Sequence, residues 1–338
     1  MRKKIYEDNP LDVKPYKYTS NLHEKQKNSK NKDPRVSIVF VTWNGKKYSF
    51  DLLDSIKKID YLNYDVIVSD NGSTDGTQKD FKKFYAKFAT LIENKKNLGL
   101  AEGLNRGIRE ALKRGSKYIF IMNNDMVVKP NFLNILVDTM EKHPEVAAVG
   151  PKIYFMDPPN MFYSTGYDEH LYGFSARNPR EIDHGQAETE EYTDAIDCCY
   201  MMKSTVLKKY GVLDTKLFLF QELTGWCMKA RKFGYKLIYA PKSVVWHRES
   251  SSPAFENNSE KDETNVYYVT RNWLLVIKDN KNMFHYLTVV FLQSTIFAYI
   301  KFVRYIKKGK PELVLTYYKG ILDALLKKTP LKLYPYKD

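Results

Sequence analysis

Lys117-Tyr-Ile-Phe-Ile-Met-Asn-Asn-Asp-Met-Val-Val128 decides the fold. Its apolar run, Tyr118 to Met122, reads as a buried strand, and the run stops abruptly at Asn123-Asn124-Asp125. Carboxamide and carboxylate side chains at the end of a core strand are costly unless they have partners. In open α/β sheets, ligands bind in the crevice beyond the carboxyl ends of the strands. An acid there suits a divalent cation, and the cation suits a phosphate-bearing substrate.

Upstream, Arg35 to Thr42 is a β-branched run suited to a central strand buried on both faces. Trp43-Asn44-Gly45 is a turn, and Leu52, Leu53, Ile56 and Ile59 mark one face of a helix. Tyr64 to Ser69 is a second strand, ending in Asp70-Asn-Gly-Ser-Thr-Asp-Gly-Thr77. Phe81, Phe84, Tyr85 and Phe88 mark the next helix, and Thr90 to Glu93 a third strand. Asn97-Leu-Gly99 leads into a helix carrying Leu104, Ile108 and Leu112, which Gly115 stops. Downstream, Pro130 fits a first helical turn before Phe132, Leu133, Leu136 and Met140, and Val146 to Gly150 is a further strand. This alternation of strand and helix predicts an α/β fold with a doubly wound, mostly parallel sheet.

After Pro151 the rhythm breaks, and residues 151–195 read as an insertion over the sheet. Ala195 to Met202 reads as a strand, Ser204 to Tyr210 as a short helix, and Glu222 to Phe233 as a helix closed by Gly234. Lys236 to Ala240 and Val244 to Trp246 are expected as two short strands leading to His247. The expected organisation is an irregular basic extension over residues 1–34, a main domain over 35–258 and a helical region over 259–338. In that last region, residues 286–300 carry no formal charge and are followed by Lys301, Arg304, Lys307, Lys308 and Lys310. A spanning helix needs roughly 17 to 25 apolar residues. This run falls short and contains Gln293, Ser294 and Thr295, so it predicts an interfacial helix with a basic flank. A helix buried on the main domain, or on a second subunit in a homo-oligomer, stays open.

The 338 residues are 43% hydrophobic and 28% charged, a globular composition. A net charge of +14 admits nucleic acid, an anionic membrane surface or phosphorylated small molecules as partners. Cys198, Cys199 and Cys227 give neither a disulfide framework nor zinc spacing. The polar N-terminus does not read as a signal peptide, so the expected location is cytoplasmic. Nucleic acid is not expected, because no motif and no aromatic-basic platform accompanies the charge. Ser73 or Thr74 alone would cap the helix after Asp70. Two strands ending in acids at one edge, at Asp70 and Asp125, ask for more than turn chemistry.

With these segments, the chain from Val36 to about Arg271 resembles the family 2 glycosyltransferases, rhamnosyltransferase-like members above all. The likeness rests on Val36-Ser-Ile-Val-Phe-Val-Thr-Trp-Asn44, Val68-Ser-Asp-Asn-Gly-Ser-Thr-Asp-Gly-Thr77 and Asn97-Leu-Gly-Leu-Ala-Glu-Gly-Leu-Asn-Arg-Gly107. It continues through Asn123-Asn-Asp125, Gly211-Val-Leu-Asp214, Glu222 with Trp226-Cys227, and Val245-Trp-His247. Any one of these is weak, and all of them in order make a strong signal.

The resemblance implies a GT-A fold and a nucleoside-diphosphate sugar donor, UDP- or dTDP-linked. It puts Thr42 and Asn44 at the nucleotide, and Asp70, Asn71 and Ser73 in the pocket for a uracil or thymine base. Asn105 and Arg106 match positions near ribose and diphosphate. Asn123-Asn124-Asp125 takes the place of an Asp-x-Asp motif, which makes Asp125 a ligand for Mn²⁺ or Mg²⁺ and His247 its partner. Asn123 and Asn124 would then face the sugar or ribose. The general base is expected in Gln221-Glu-Leu-Thr-Gly-Trp226, where Glu222 is retained but Leu223 and Gly225 occupy two aspartate positions. Asp197 is an acceptor-side candidate, and Arg271, in a recurring Tyr-Tyr…Arg-Asn pattern, could reach phosphate. The function expected is inverting, metal-dependent sugar transfer to a lipid-linked or polysaccharide acceptor at the inner face of the cell membrane. The alternative, prompted by Leu223 and Gly225, is a non-catalytic nucleotide-sugar or glycan-binding member.

Overall fold

The computed structural model describes residues 33–248 and 258–328. The expected basic extension lies almost wholly outside the described residues, as does the segment joining the main domain to the helical region.

The alternation read from the sequence is present. Strands β1 (Val36–Thr42), β2 (Tyr64–Asp70), β3 (Thr90–Glu93) and β4 (Tyr118–Met122) are mutually parallel, in the order β3-β2-β1-β4. Helices α1 (Lys46–Ile56), α2 (Thr77–Phe84) and α3 (Gly99–Lys113) connect them. Two separate cores follow from the period-2 alternation of the strands. Ile38, Phe40, Phe120 and Met122 point to the face covered by α1, α2 and α4 (Phe132–Lys142). Val39, Ile67, Ile119 and Ile121 point to the opposite face, under α3 and the helices α5 (Ser204–Tyr210) and α6 (Glu222–Lys232). Both faces being covered explains why these strands read as unbroken apolar runs.

Beyond β4 the sheet is mixed. After the short strand β5 (Met126–Val128) come β6 (Val146–Phe155), β7 (Phe162–Ser164), the small hairpin β8 (Tyr167–His170) and β9 (Gly173–Ala176), β10 (Glu191–Thr193), β11 (Cys199–Lys203) and β12 (Lys236–His247). The sheet continues β4-β11-β6-β12-β10, with β11 antiparallel to both its neighbours and β12 parallel to β6. Two boundaries differ from expectation. The strand expected from Ala195 starts only at Cys199, because Cys198 takes a left-handed φ of 60° and breaks the extended run. The two short strands around residue 240 are one, β12, with a register shift between Ala240 and Val244.

The C-terminal region is helical. It comprises α7 (Asn258–Asn280), α8 (Met283–Ser294), α9 (Ile296–Lys307) and α10 (Glu312–Leu325), gathered on a third core that includes Trp273, Ile277, Tyr305 and Tyr317. Helix α7 packs against α6 of the main domain and against α10. Helices α8 and α9 form one 25-residue rod from Met283 to Lys307, kinked at Thr295. By length and composition the rod is long and apolar enough to cross a membrane, with a mean hydropathy of 1.5 over an 18-residue stretch. The uncharged run of residues 286–300 is extended on either side by Met283, Phe284, Phe302 and Ile306.

Candidate active site

The sheet topology gathers the site. Parallel β1, β2 and β4 end at one edge, and antiparallel β11 begins there, so Cys198 O accepts the N–H of Asn123 at 3.1 Å. After Asp125 the chain turns straight into β5, which pairs antiparallel with the end of β12 and sets His247 opposite Met126. This register brings together residues 122 positions apart: His247 Nε2 lies 3.1 Å from Asp125 Oδ1 and 3.5 Å from Asn123 Nδ2. Arg248 N also donates to Asp125 O at 3.1 Å.

These groups line a cavity of about 530 Å³ together with Trp43, Gly45, Asn71, Asn124, Tyr163, Asp197 and Glu222. The size suits a nucleotide sugar. Gly45 is required where the β1–α1 turn meets Asn124, because a Cβ there would sit 2.5 Å from Asn124 Nδ2. Asn124 also donates to Ser49 Oγ at 3.1 Å, and Ser49 Oγ donates to Thr42 Oγ1 at 2.8 Å.

Glu222 opens α6, is buried, and leaves Oε2 without a hydrogen-bond partner among the described residues. Burial pushes its carboxyl up to about 8, and the nearby Asp197 carboxylate pushes the same way. Asp197 is also raised, chiefly by burial, against the pull of the Cys198 N–H and of His247. A carboxyl and a neighbouring acid raised together in a cavity are the mark of groups that exchange protons. Among the described residues no three His, Cys, Asp or Glu side chains cluster as a metal cage. Asp125 and His247 offer one carboxylate and one imidazole, a donor pair that fits Mn²⁺ or Mg²⁺ if diphosphate oxygens and water complete the shell.

Of the residues expected at the site, Asn71, Asn123, Asn124, Asp125, Asp197, Glu222 and His247 line this cavity. Thr42, Asn44, Asp70 and Ser73 stand one layer behind it. Asp70 Oδ1 accepts from Gly72 N, Ser73 N and Gln78 Nε2 at 3.1, 2.9 and 2.6 Å, whereas its buried Oδ2 accepts from none of the described residues. Asn44 N donates to Ser73 Oγ at 2.9 Å, and Asn44 Oδ1 accepts from Thr74 N at 2.7 Å, so these residues lock two turns together.

Three residues expected at the donor do not line this cavity and have protein partners instead. Asn105 is fully buried, and its amide pairs reciprocally with the backbone of Leu213 at 2.9 and 3.0 Å. Arg106 is half exposed on α3 and paired with Glu102 at 3.0 Å. Arg271 is buried and donates to Lys216 O and Lys328 O at 3.1 and 2.9 Å. Asn105 and Arg271 stand at helix positions whose partners come from distant segments, which sequence order does not display. Conversely, Tyr163, Asn265 and Val269 line the cavity without having been singled out. Tyr163 stacks edge-on against His247, with centroids 4.8 Å apart, but lies in an insertion with no periodic signal. Trp43 and Asn97 were visible only as members of turns.

The mixed sheet with helices on both faces has the GT-A fold that the resemblance implied, which solved glycosyltransferase structures share. The chain matches the family described as Glycosyl transferase family 2 over residues 37–211, more than half its length, and it belongs to that family. It is 25% identical over 295 residues to dTDP-rhamnosyl transferase RfbF of Shigella flexneri, covering 86% of this chain and 95% of that one. It is 23% identical over 263 residues to N-acetylglucosaminyl-diphospho-decaprenol L-rhamnosyltransferase of Mycobacterium tuberculosis, covering 70% and 85%. Poly-beta-1,6-N-acetyl-D-glucosamine synthase of Staphylococcus epidermidis is 24% identical over 234 residues, and the chain spans 49% of its length. Among solved structures, a mannosyltransferase from Pyrobaculum calidifontis in complex with GDP-Man and Mn²⁺ shares the fold, with a TM-score of 0.51 at 17% identity over 90% of this chain and 80% of that one.

Proposed function

We propose that this protein is an inverting glycosyltransferase that moves a sugar from UDP or dTDP to a lipid-linked or polysaccharide acceptor. The observation that carries the proposal is the shared cavity of the Asp125–His247 pair and the buried Glu222. Asp70, one layer behind the cavity, keeps Oδ2 without a partner among the described residues, which supports a base pocket at the end of β2 and favours UDP or dTDP. Asp125 and His247 would hold Mn²⁺ or Mg²⁺, which supplies charge neutralisation at the departing diphosphate. Asn123 and Asn124 offer neutral donors and acceptors to the sugar and ribose. Glu222 takes the proton of the acceptor hydroxyl as its oxygen bonds to the anomeric carbon and the bond to the diphosphate breaks on the opposite face. Asp197 borders the acceptor side and keeps the Glu222 carboxyl basic by repulsion.

The rhamnosyltransferase relatives are named for decaprenyl-diphosphate-linked and dTDP-rhamnose chemistry, which supports this donor and acceptor class. A donor screen for nucleoside diphosphate release, with and without Mn²⁺ and with lipid-linked acceptors, tests the proposal. Nucleotide binding without release for any donor, in wild type and in Glu222→Gln alike, would instead make the chain a binding protein, the reading favoured by Leu223 and Gly225.

The exposed apolar side chains of the C-terminal helices support a location at an anionic membrane surface. Among the described residues, 283–326 hold 14 of the 20 exposed large hydrophobic side chains, and Phe284, Leu287 and Phe291 lie along one side of α8. Lys301, Arg304, Lys307 and Lys308 flank them, while Lys310 is paired with Asp262. That cationic rim repels a second copy of itself and attracts anionic lipid, by about 1 kcal/mol per basic residue near the surface. Flotation of the full chain with phosphatidylglycerol vesicles but not phosphatidylcholine vesicles is expected; a stable dimer that ignores both would overturn the membrane assignment.

A further inference from the structure

Glu222 follows a strained loop. Phe218, Phe220 and Gln221 all take left-handed φ values, 52°, 65° and 67°, though none is glycine. Such conformations persist only where surrounding contacts over-determine them. Here the contacts come from α7. Asn272, fully buried, directs Nδ2 at three carbonyls of this loop: Leu217 O at 2.5 Å, Leu219 O at 2.7 Å and Phe220 O at 3.0 Å. Arg271 Nη1 donates to Asn272 Oδ1 at 2.6 Å and to Lys216 O at 3.1 Å. A guanidinium can only donate and a carbonyl can only accept, so the two sets of partners fix the orientation of the Asn272 amide. From the other side, Leu100 N donates to Phe218 O at 2.7 Å, and the Phe218 ring stacks on Tyr268 of α7.

We infer that Asn272, oriented by Arg271, is a positioning residue for Glu222. The amide holds the 217–221 loop in the conformation from which α6 starts, and so sets where the Glu222 carboxyl enters the cavity. Asn265 and Val269, seven and three residues before Asn272, line that cavity from the same face of α7. The C-terminal helical region is therefore part of the catalytic unit, and Arg271 acts through it without touching donor phosphate. This inference rests on the reading of Glu222 as the base.

The test compares Asn272→Ala, Asn272→Asp and Arg271→Lys with Glu222→Gln in the full chain. Asn272→Asp keeps the shape and loses the donor, and Arg271→Lys keeps the charge and loses the fork, so a folded variant remains if the alanine variant fails to fold. The expected result is a fall in kcat of roughly 10- to 100-fold, with donor KM and nucleotide affinity within about twofold. Backbone amides of residues 219–221 lose hydrogen-exchange protection while those of β4 keep theirs. Unchanged kcat in folded variants overturns the inference, as does a parallel loss of kcat and nucleotide affinity. Full turnover by Glu222→Gln refutes the base assignment separately, since loss of protection at 219–221 would still report the clamp.

Discussion

Glu222 sets a conflict between stability and function whose size follows from the structure. A glutamate usually titrates near 4.5, and burial here moves it to about 8. Between those values the folded state binds a proton that the unfolded state has released. Folding stability therefore falls as pH rises, by about 1.4 kcal/mol per pH unit. The contribution is fully present below pH 4.5 and gone above about 8, a total of about 5 kcal/mol from this one carboxyl. Glu222→Gln keeps the shape and has no such titration. Urea unfolding of both proteins from pH 5 to pH 9 is expected to give similar stabilities at pH 5 and a variant more stable by several kcal/mol at pH 9. Asp197 is raised chiefly by burial, which the substitution leaves in place, so its contribution largely cancels in the difference. Carboxylates held low by partners, such as Glu102 and Glu141, titrate below this window and leave the comparison untouched. The same substitution should cost about 100-fold or more in transfer rate. Parallel stability curves, or a wild type that gains on the variant as pH rises, would refute the account of Glu222.

The remaining expectations concern its surroundings. The kcat/KM of wild type should rise with pH along an acid limb centred near 8, because the base works only when deprotonated; an activity flat from pH 6 to 9 assigns proton transfer elsewhere. Asp125→Asn should raise the Mn²⁺ concentration needed for half-maximal activity by about tenfold or more, read by metal titration, while thermal stability of the metal-free protein barely changes. Arg106→Ala should leave kcat/KM within about threefold, since its bond is to a partly exposed glutamate on its own helix; a larger loss would return Arg106 to the donor site. Gly99→Ala should destabilise by about 1 to 3 kcal/mol in urea unfolding, because φ is +79° there and a Cβ would meet Phe218 O and Cδ2 at 2.5 Å. It should also lower kcat through the same loop.

What the sequence displayed, and what it hid, divides along one physical line. Strand β4 and its polar end were legible because burial on both faces forces an unbroken apolar run, and Asn123 to Asp125 interrupt it. The alternation of Ile38 and Phe40 against Val39, which builds the two cores, is period-2 patterning that any strand must show. The pairing of His247 with Asp125 depends instead on β5 folding back on β12, a register between segments 122 positions apart, and only likeness to a family suggested it. Asn105, Arg106 and Arg271 show the same limit from the other side. Family position suggested phosphate or ribose, and the third dimension gave each a protein partner: a backbone, a helix neighbour and a loop. Motif order locates the cavity, but which side chains face it is settled by helix rotation and loop docking.

The two missing acids after Glu222 become intelligible through α7. A Cβ at Gly225 would meet Val276 Cγ2 at 3.1 Å and Leu217 Cδ1 at 3.5 Å, so an aspartate there would drive its charge into the apolar seam between α6 and α7. Leu223 is buried on the same helix, packed with Trp226 and Val206, and its carbonyl accepts from Tyr200 Oη at 3.1 Å. An aspartate at Gly225 would therefore cost burial energy, whereas Leu223 lines the cavity beside Glu222 and leaves an apolar wall where the resemblance implies an acid. On the proposed function, proton transfer falls on Glu222, whose carboxyl burial and the Asp197 charge push up. On that reading the Asn272 amide, bonded to three carbonyls of the loop before α6, is what would hold this single carboxyl in place.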